Sequence, residues 1–223
     1  MNFFVTKIVE DSDVTYNLTV AGYVALAAVM LVVFAAGCMF WDKNKKMDAK
    51  QIAFCAMAMA LAVVTSMFKI IDMPMGGSVT LFSMLFIVLT GYWFGVRTGI
   101  TTAVAYGILQ LLINPYIISI WQMLMDYIFA FGALGLAGLF SNKKKGLIKG
   151  YIAGILGRYF FSFLSGWIFF AVYTPDFFNS AILYSLAYNG AYIGLEAAIT
   201  LIVLALPPVN EAMQAVKKLV CEA

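Results

Sequence analysis

The chain of 223 residues is 64% hydrophobic and 11% charged, with 14 Lys and Arg against 11 Asp and Glu for a formal net charge of +3. Its mean hydropathy is +0.94, whereas soluble domains are about 45–50% apolar and about 25% charged, which excludes a water-soluble fold. Apolar runs recur that are long enough, at about 1.5 Å per residue, to cross a hydrocarbon core of about 30 Å, and the alternating strands of about ten residues that a β-barrel requires are not seen.

In chain order, residues 1–17 read as an external leader, net acidic through Glu10, Asp11 and Asp13. The first span, 18–41, lacks a preceding basic region and a following small-residue cleavage site, so it reads as a retained anchor and not a cleaved signal. A basic linker, 42–50, leads into six further spans at 51–71, 79–95, 98–113, 118–140, 147–172 and 180–206, and a tail covers 209–223. The spans at 79–95 and 98–113 are short and joined tightly around Gly95. The expected fold is all-α: a polytopic membrane bundle with a six-helix core over 51–208 and one extra N-terminal transmembrane helix.

Basic residues collect at Lys43, Lys45, Lys46 and Lys50, at Arg97, at Lys143, Lys144, Lys145 and Lys149, and at Lys217 and Lys218. Seven alternating spans put all of these on one side. The positive-inside rule then orients the N-terminus outside and the C-terminus in the cytoplasm. The partner of such a chain is the lipid bilayer; no nucleic acid is expected.

Cys38, Cys55 and Cys221 are scattered and there is no histidine, which speaks against a zinc site or a Cys/His nucleophile. There is no GxxxxGK[ST], HExxH or GxSxG, so ATP hydrolysis or peptidase chemistry would come from another chain. Neither catalysis nor a cofactor in this chain is expected.

Three ionisable residues fall inside spans: Asp126, Arg158 and Glu196. Such groups are costly in lipid and point to function. Counting helical rise, Arg158 lies roughly 14 Å from Lys149 and Glu196 roughly 15 Å from Leu206, near the midplane, while Asp126 lies roughly 21 Å from Phe140, in the outer half. Arg158 and Glu196, at matching depth, could neutralise each other. Asp126 is the candidate carboxylate for a cationic ligand, the alternative being a hydrogen bond to a neighbouring Tyr or Ser. Aromatic residues concentrate at its depth, among them Tyr116, Trp121, Tyr127, Trp167, Phe170, Tyr184 and Tyr188. Ser185, Asn189, Tyr192 and Glu196 form one polar stripe on a helix face that must point into the bundle. A polar stripe beside aromatics suits a flat, partly cationic ligand. Small residues mark close helix packing: GxxxG at Gly91–Gly95, Gly150–Gly154 and Gly190–Gly194, GALGLAG over 132–138, and the alanines Ala56, Ala58, Ala60 and Ala62.

Four segments then carry a resemblance: MPMGGSVTLFSM at Met73–Met84, NPYIISIWQMLMDYIFAFGALGLAGLF at Asn114–Phe140, RYFFSFLSGWIFF at Arg158–Phe170 and YSLAYNG at Tyr184–Gly190. From about Ala49 to Pro208 the chain resembles the thiamine-specific S components of energy-coupling factor (ECF) vitamin transporters. The resemblance implies a six-helix S-component core whose vitamin site uses Asp126, Tyr127, Arg158, Tyr184 and Asn189, with Tyr116 from the preceding loop and Gly166 and Ser185 keeping family identities. It also marks departures: Asp126 stands where some members have Glu, Arg158 for Lys, Ser162 for a pocket histidine and Phe170 for a tryptophan. It implies further that the chain captures thiamine outside and works with a coupling transmembrane protein and two ATPase subunits that use the ATP, docking through Ala56 and Ala60. The alternatives weighed are an S component for a thiamine precursor or other flat heterocycle, a membrane enzyme acting on lipid or quinone, and an assembly subunit.

Overall fold

The computed structural model describes residues 5–10, 13–22, 24, 25, 28 and 47–222. Two strands, β1 (Val5–Glu10) and β2 (Asp13–Leu18), pair antiparallel from Val5 opposite Leu18 to Glu10 opposite Asp13. The segment read as a plain leader therefore contains a hairpin, in keeping with its β-branched Val5, Thr6, Ile8, Val9, Val14 and Thr15. Of the predicted span 18–41, residues 20–22, 24, 25 and 28 are helical. The rest of that span, and linker residues 42–46, lie outside the described residues.

From residue 47 onward the protein is a helical bundle: α1 (Ala49–Met67), α2 (Ser83–Phe94), α3 (Val96–Ile113), α4 (Ile120–Phe140), α5 (Gly146–Phe169) and α6 (Ala181–Ala205). Among the described residues, five of these helices are long and apolar enough to cross a membrane; α2 is the shorter one. Its 12 residues rise only about 18 Å. Most of α2 is buried, so it is a central helix held by its neighbours and not by lipid.

Two expected spans are trimmed. The run at 51–71 is helical only to Met67, and that at 79–95 only from Ser83, because Lys69–Asp72 (β3) and Ser78–Thr80 (β4) form an antiparallel hairpin between them. Pro74 cannot continue a helical ladder, and Met75, Gly76 and Phe82 take positive φ values of 63°, 86° and 63°, which turn the chain back on itself. Hydropathy alone does not register such a reversal.

Packing depends on missing side chains more than on hydrophobic burial, because lipid is as apolar as the helix surfaces. A Cβ on Gly99 would lie 2.6 Å from the Gly91 Cα, and one on Gly135 would lie 2.3 Å from the Ile100 nitrogen. The GALGLAG run thus lets α4 press against α2 and α3. Gly150 and Gly154 meet Ala137 and Leu134 of α4 in the same way, but among the described residues Gly194 has no neighbour within 4 Å and Gly190 only a loose contact with Tyr159, so the third GxxxG packs against no described helix. The four alanines of α1 also divide. Ala58 and Ala62 are buried whereas Ala56 and Ala60 are exposed, as expected when positions two apart point to different faces of a helix.

The two ends of the bundle differ. At one end gather the β3–β4 hairpin and the loops 114–119 and 170–180: the Gly77–Tyr188 hydrogen bond ties the hairpin to α6, and the Tyr116–Phe170 ring stack joins the two loops. At the other, α7 (Pro207–Glu222) folds back beneath the bundle: Lys50 Nζ donates to the Leu219 carbonyl, Lys217 Nζ to the Ser141 carbonyl, and Cys221 Sγ to the Trp93 carbonyl. The expected tail is therefore an amphipathic helix, with Val209 and Met213 packed on the core and Val220 buried.

Candidate functional site

Below the three loops lies a cavity of about 370 Å³, within the range of small-molecule sites. All ten candidate residues line it: Tyr116 from the loop, Asp126 and Tyr127 from α4, Arg158, Ser162, Gly166 and Phe170 from α5 and its end, and Tyr184, Ser185 and Asn189 from α6.

Local geometry explains how α4 contributes two adjacent residues. In a regular α-helix, neighbours diverge by about 100°. Over Leu124–Phe129 the helix widens into a π-turn, where the Ala130 N–H reaches back five residues to the Met125 carbonyl, a distortion concentrated at functional sites. Asp126 Oδ2 accepts from Gln122 Nε2 at 2.7 Å and from Ser165 Oγ at 2.8 Å. The alternative of a serine partner is thus realised, yet both donors converge on one carboxylate oxygen. Tyr127 acts differently. Its hydroxyl donates to the Asn114 carbonyl at 3.0 Å and accepts from the Tyr116 N–H at 2.9 Å, pinning the loop that presents Tyr116. Gln122 does the same for Ile118 and Tyr116.

The α6 stripe forms the facing wall. Asn189 Oδ1 accepts from Tyr192 Oη at 3.0 Å, and its Nδ2 donates to the Ser185 carbonyl at 3.0 Å. Ser185 Oγ donates to the Phe163 carbonyl on α5 at 2.7 Å. A Cβ on Gly166 would lie 2.3 Å from Ser185 Oγ and 2.9 Å from Asn189 Nδ2, so glycine is what lets α5 approach these polar groups. Tyr188 closes the top: its hydroxyl donates to the Pro74 carbonyl and accepts from the Gly77 N–H.

Glu196, the last residue of the stripe, does not line the cavity and does not pair with Arg158. Among the described residues the ion pair is Lys69–Asp72, at 3.1 Å. The buried Glu196 carboxylate instead accepts from Thr80 Oγ1 at 2.7 Å, Ser83 Oγ at 3.0 Å and the Met84 N–H at 3.2 Å. It caps the N-terminus of α2, which begins at a left-handed Phe82 with no cap of its own, and a carboxylate at that end also suits the helix dipole. Thr80 and Ser83 line the cavity floor. Depth matching failed as a predictor here because hydroxyls on the β3–β4 side were nearer than the guanidinium. Arg158 lies with its Cζ 4.3 Å from the centre of the Phe131 ring, a cation–π contact, and its buried Nε has no hydrogen-bond partner among the described residues.

Reasoning from sequence missed Gln122, Ser165, Tyr106 and Gln110 as lining residues. Gln122 and Ser165 had a readable signal, one helical turn before Asp126 and three residues after Ser162. Trp121 and Trp167 lie near this depth without lining the cavity.

A family model described as thiamine transporter protein (Thia_YuaJ) matches residues 52–216. The thiamine transporter ThiT of Bacillus subtilis is 35% identical over 165 residues, covering 68% of this chain and 84% of the relative. A solved structure of ThiT from Listeria monocytogenes shares the fold, with TM-score 0.58, 24% identity and coverage of 71% of this chain and 94% of the other.

Proposed function

The chain belongs to the thiamine transporter protein family, and from that membership we propose that it is the substrate-binding membrane subunit of an ECF-type importer, capturing thiamine from outside the cell. The observation that carries the proposal is the composition of one cavity: a carboxylate on α4, a ring-rich rim of Tyr116, Phe170, Tyr184 and Tyr188, and the directed polar groups Ser162, Ser185 and Asn189 opposite. Thiamine is flat, heterocyclic and permanently cationic. Asp126 faces the cation, the rings stack on the heterocycles, and Asn189 and Ser185 fix orientation. Arg158 also lines the cavity, with its guanidinium 4.3 Å from the centre of the Phe131 ring.

Lys69 lines the cavity, but the lysine clusters at 143–145 and 217–218 lie at the opposite end of the bundle, which supports an outside location for the cavity and the N-terminus and a cytoplasmic C-terminus. Uptake requires a coupling membrane protein and two ATPase subunits, as the chain contains no nucleotide-binding motif. Ala56 and Ala60, on an exposed face of α1, are the docking surface, because small residues permit close helix approach in lipid. Titrating the purified full chain with thiamine, followed by calorimetry or by Trp121 and Trp167 fluorescence, tests capture. Saturable binding without ATP or partners is expected, with the separate pyrimidine and thiazole halves binding more weakly. A folded protein that does not bind would overturn the reading.

A further inference from the structure

A second cleft, of about 490 Å³, lies at the opposite end, between the turn Ser141–Lys145 and α7. Lys143, Lys144 and Lys145 line it from the turn, Lys217 and Lys218 line it from α7, and among the described residues no Asp or Glu does. These two groups of lysines are far apart in sequence. Only the folding back of α7 brings them together.

One of the five is held in place. Lys217 Nζ lies 4.1 Å from the centre of the Tyr92 ring and donates to the Ser141 carbonyl, while Ser141 Oγ donates to the Tyr92 carbonyl at 2.7 Å. Lys143, Lys144, Lys145 and Lys218 are exposed, and none is in an ion pair among the described residues. Solvation alone accounts for scattered lysines at a membrane edge. Here five converge on one concavity, where water and salt weaken their mutual repulsion and an anion bound between them would relieve it further. Asn142, Asn210 and Gln214 add hydrogen-bonding groups to the same walls.

The setting selects the anion. α7 is amphipathic, with an apolar face on the bundle, and Leu206 and Leu219 remain 50% and 67% exposed beside the ends of the spanning helices. Lying across the ends of the spanning helices, with these leucines exposed and its lysines beside them, α7 would stand at headgroup level. We propose that the cleft binds the phosphate headgroup of an anionic phospholipid, the lysines and amides holding the phosphate oxygens while Leu206 and Leu219 meet the acyl chains. Basic pockets between membrane helices are suited to such headgroups. This site is independent of what the other cavity binds.

The test is native mass spectrometry of the purified full chain with phosphatidylglycerol, phosphatidylcholine or inorganic phosphate, paired with melting curves. Phosphatidylglycerol should be retained and should raise the melting temperature, and the other two should not. In the Lys143→Gln/Lys218→Gln variant, which removes one lysine from each wall, retention should fall about tenfold, while Arg97→Gln/Lys149→Gln, an equal loss of charge at residues that do not line the cleft, should retain the lipid. Circular dichroism confirms that both variants fold. Equal losses in the two variants would reduce the effect to bulk attraction and overturn the proposal. So would equal retention of phosphatidylcholine, or stabilisation by inorganic phosphate alone.

Discussion

Replacing Asp126 by Asn keeps an oxygen that can accept from Gln122 and Ser165, whose bonds of 2.7 and 2.8 Å both fall on Oδ2, but removes the charge. The local fold should therefore survive. What is lost is the interaction between a carboxylate and a cation in a partly dehydrated cavity, of the order of a charged hydrogen bond, about 1.5–3 kcal/mol. The dissociation constant for thiamine should rise about ten- to a hundredfold, with a nearly unchanged melting temperature. Glu196→Gln is the contrast. Its carboxylate accepts three donors beneath the cavity; an amide nitrogen at the Oε2 position would make the Thr80 hydroxyl accept and turn its hydrogen to Ser83, and it removes the charge that strengthens these bonds and suits the α2 N-terminus. That should cost about 1–3 kcal/mol of stability and lower the melting temperature by several degrees, with a smaller effect on affinity. Calorimetric titration and melting curves on both variants separate the two. If Glu196→Gln weakens thiamine binding more than Asp126→Asn does, at unchanged stability, the ligand carboxylate has been misassigned and the site lies deeper.

Gly166→Ala should displace Ser185 and Asn189, since the new methyl would lie 2.3 Å from Ser185 Oγ; affinity measured by titration should fall about tenfold or more while the protein stays folded. Tyr188→Phe removes both hydrogen bonds to the 74–77 loop, so hydrogen exchange at Met75–Ser78 should quicken and thiamine should dissociate faster. Ala56→Leu with Ala60→Leu should weaken copurification of the coupling protein and leave thiamine binding intact; a joint loss would indicate misfolding instead.

Much of the candidate site was legible because charge in lipid is expensive. Asp126 and Arg158 stood out in apolar runs, and the stripe from Ser185 to Glu196 followed from helical period alone, since polar groups on one face must turn inward. Tyr127, Ser162 and Phe170 fell at the depth of Asp126 and were named again by the family resemblance, and all three line the cavity. The membrane class, the bundle and most helix positions likewise follow from apolar run length, a one-dimensional property that any segment must satisfy to cross a bilayer.

Partner choice was decided only by the tertiary structure. Sequence depth suggested Arg158 for Glu196, but the β3–β4 turn, made by left-handed residues that hydropathy does not register, brings Thr80 and Ser83 to that carboxylate first. The α1 alanines, all four read as close-packing positions, split between a buried and an exposed face, and the Gly190–Gly194 motif meets no close helix among the described residues. The tail became a helix that folds back beneath the bundle and brings two lysine clusters into one cleft. Cost of burial is a property each residue carries by itself, so the sequence states it; which neighbour relieves that cost depends on loops and helix approach, which exist only once the chain has folded.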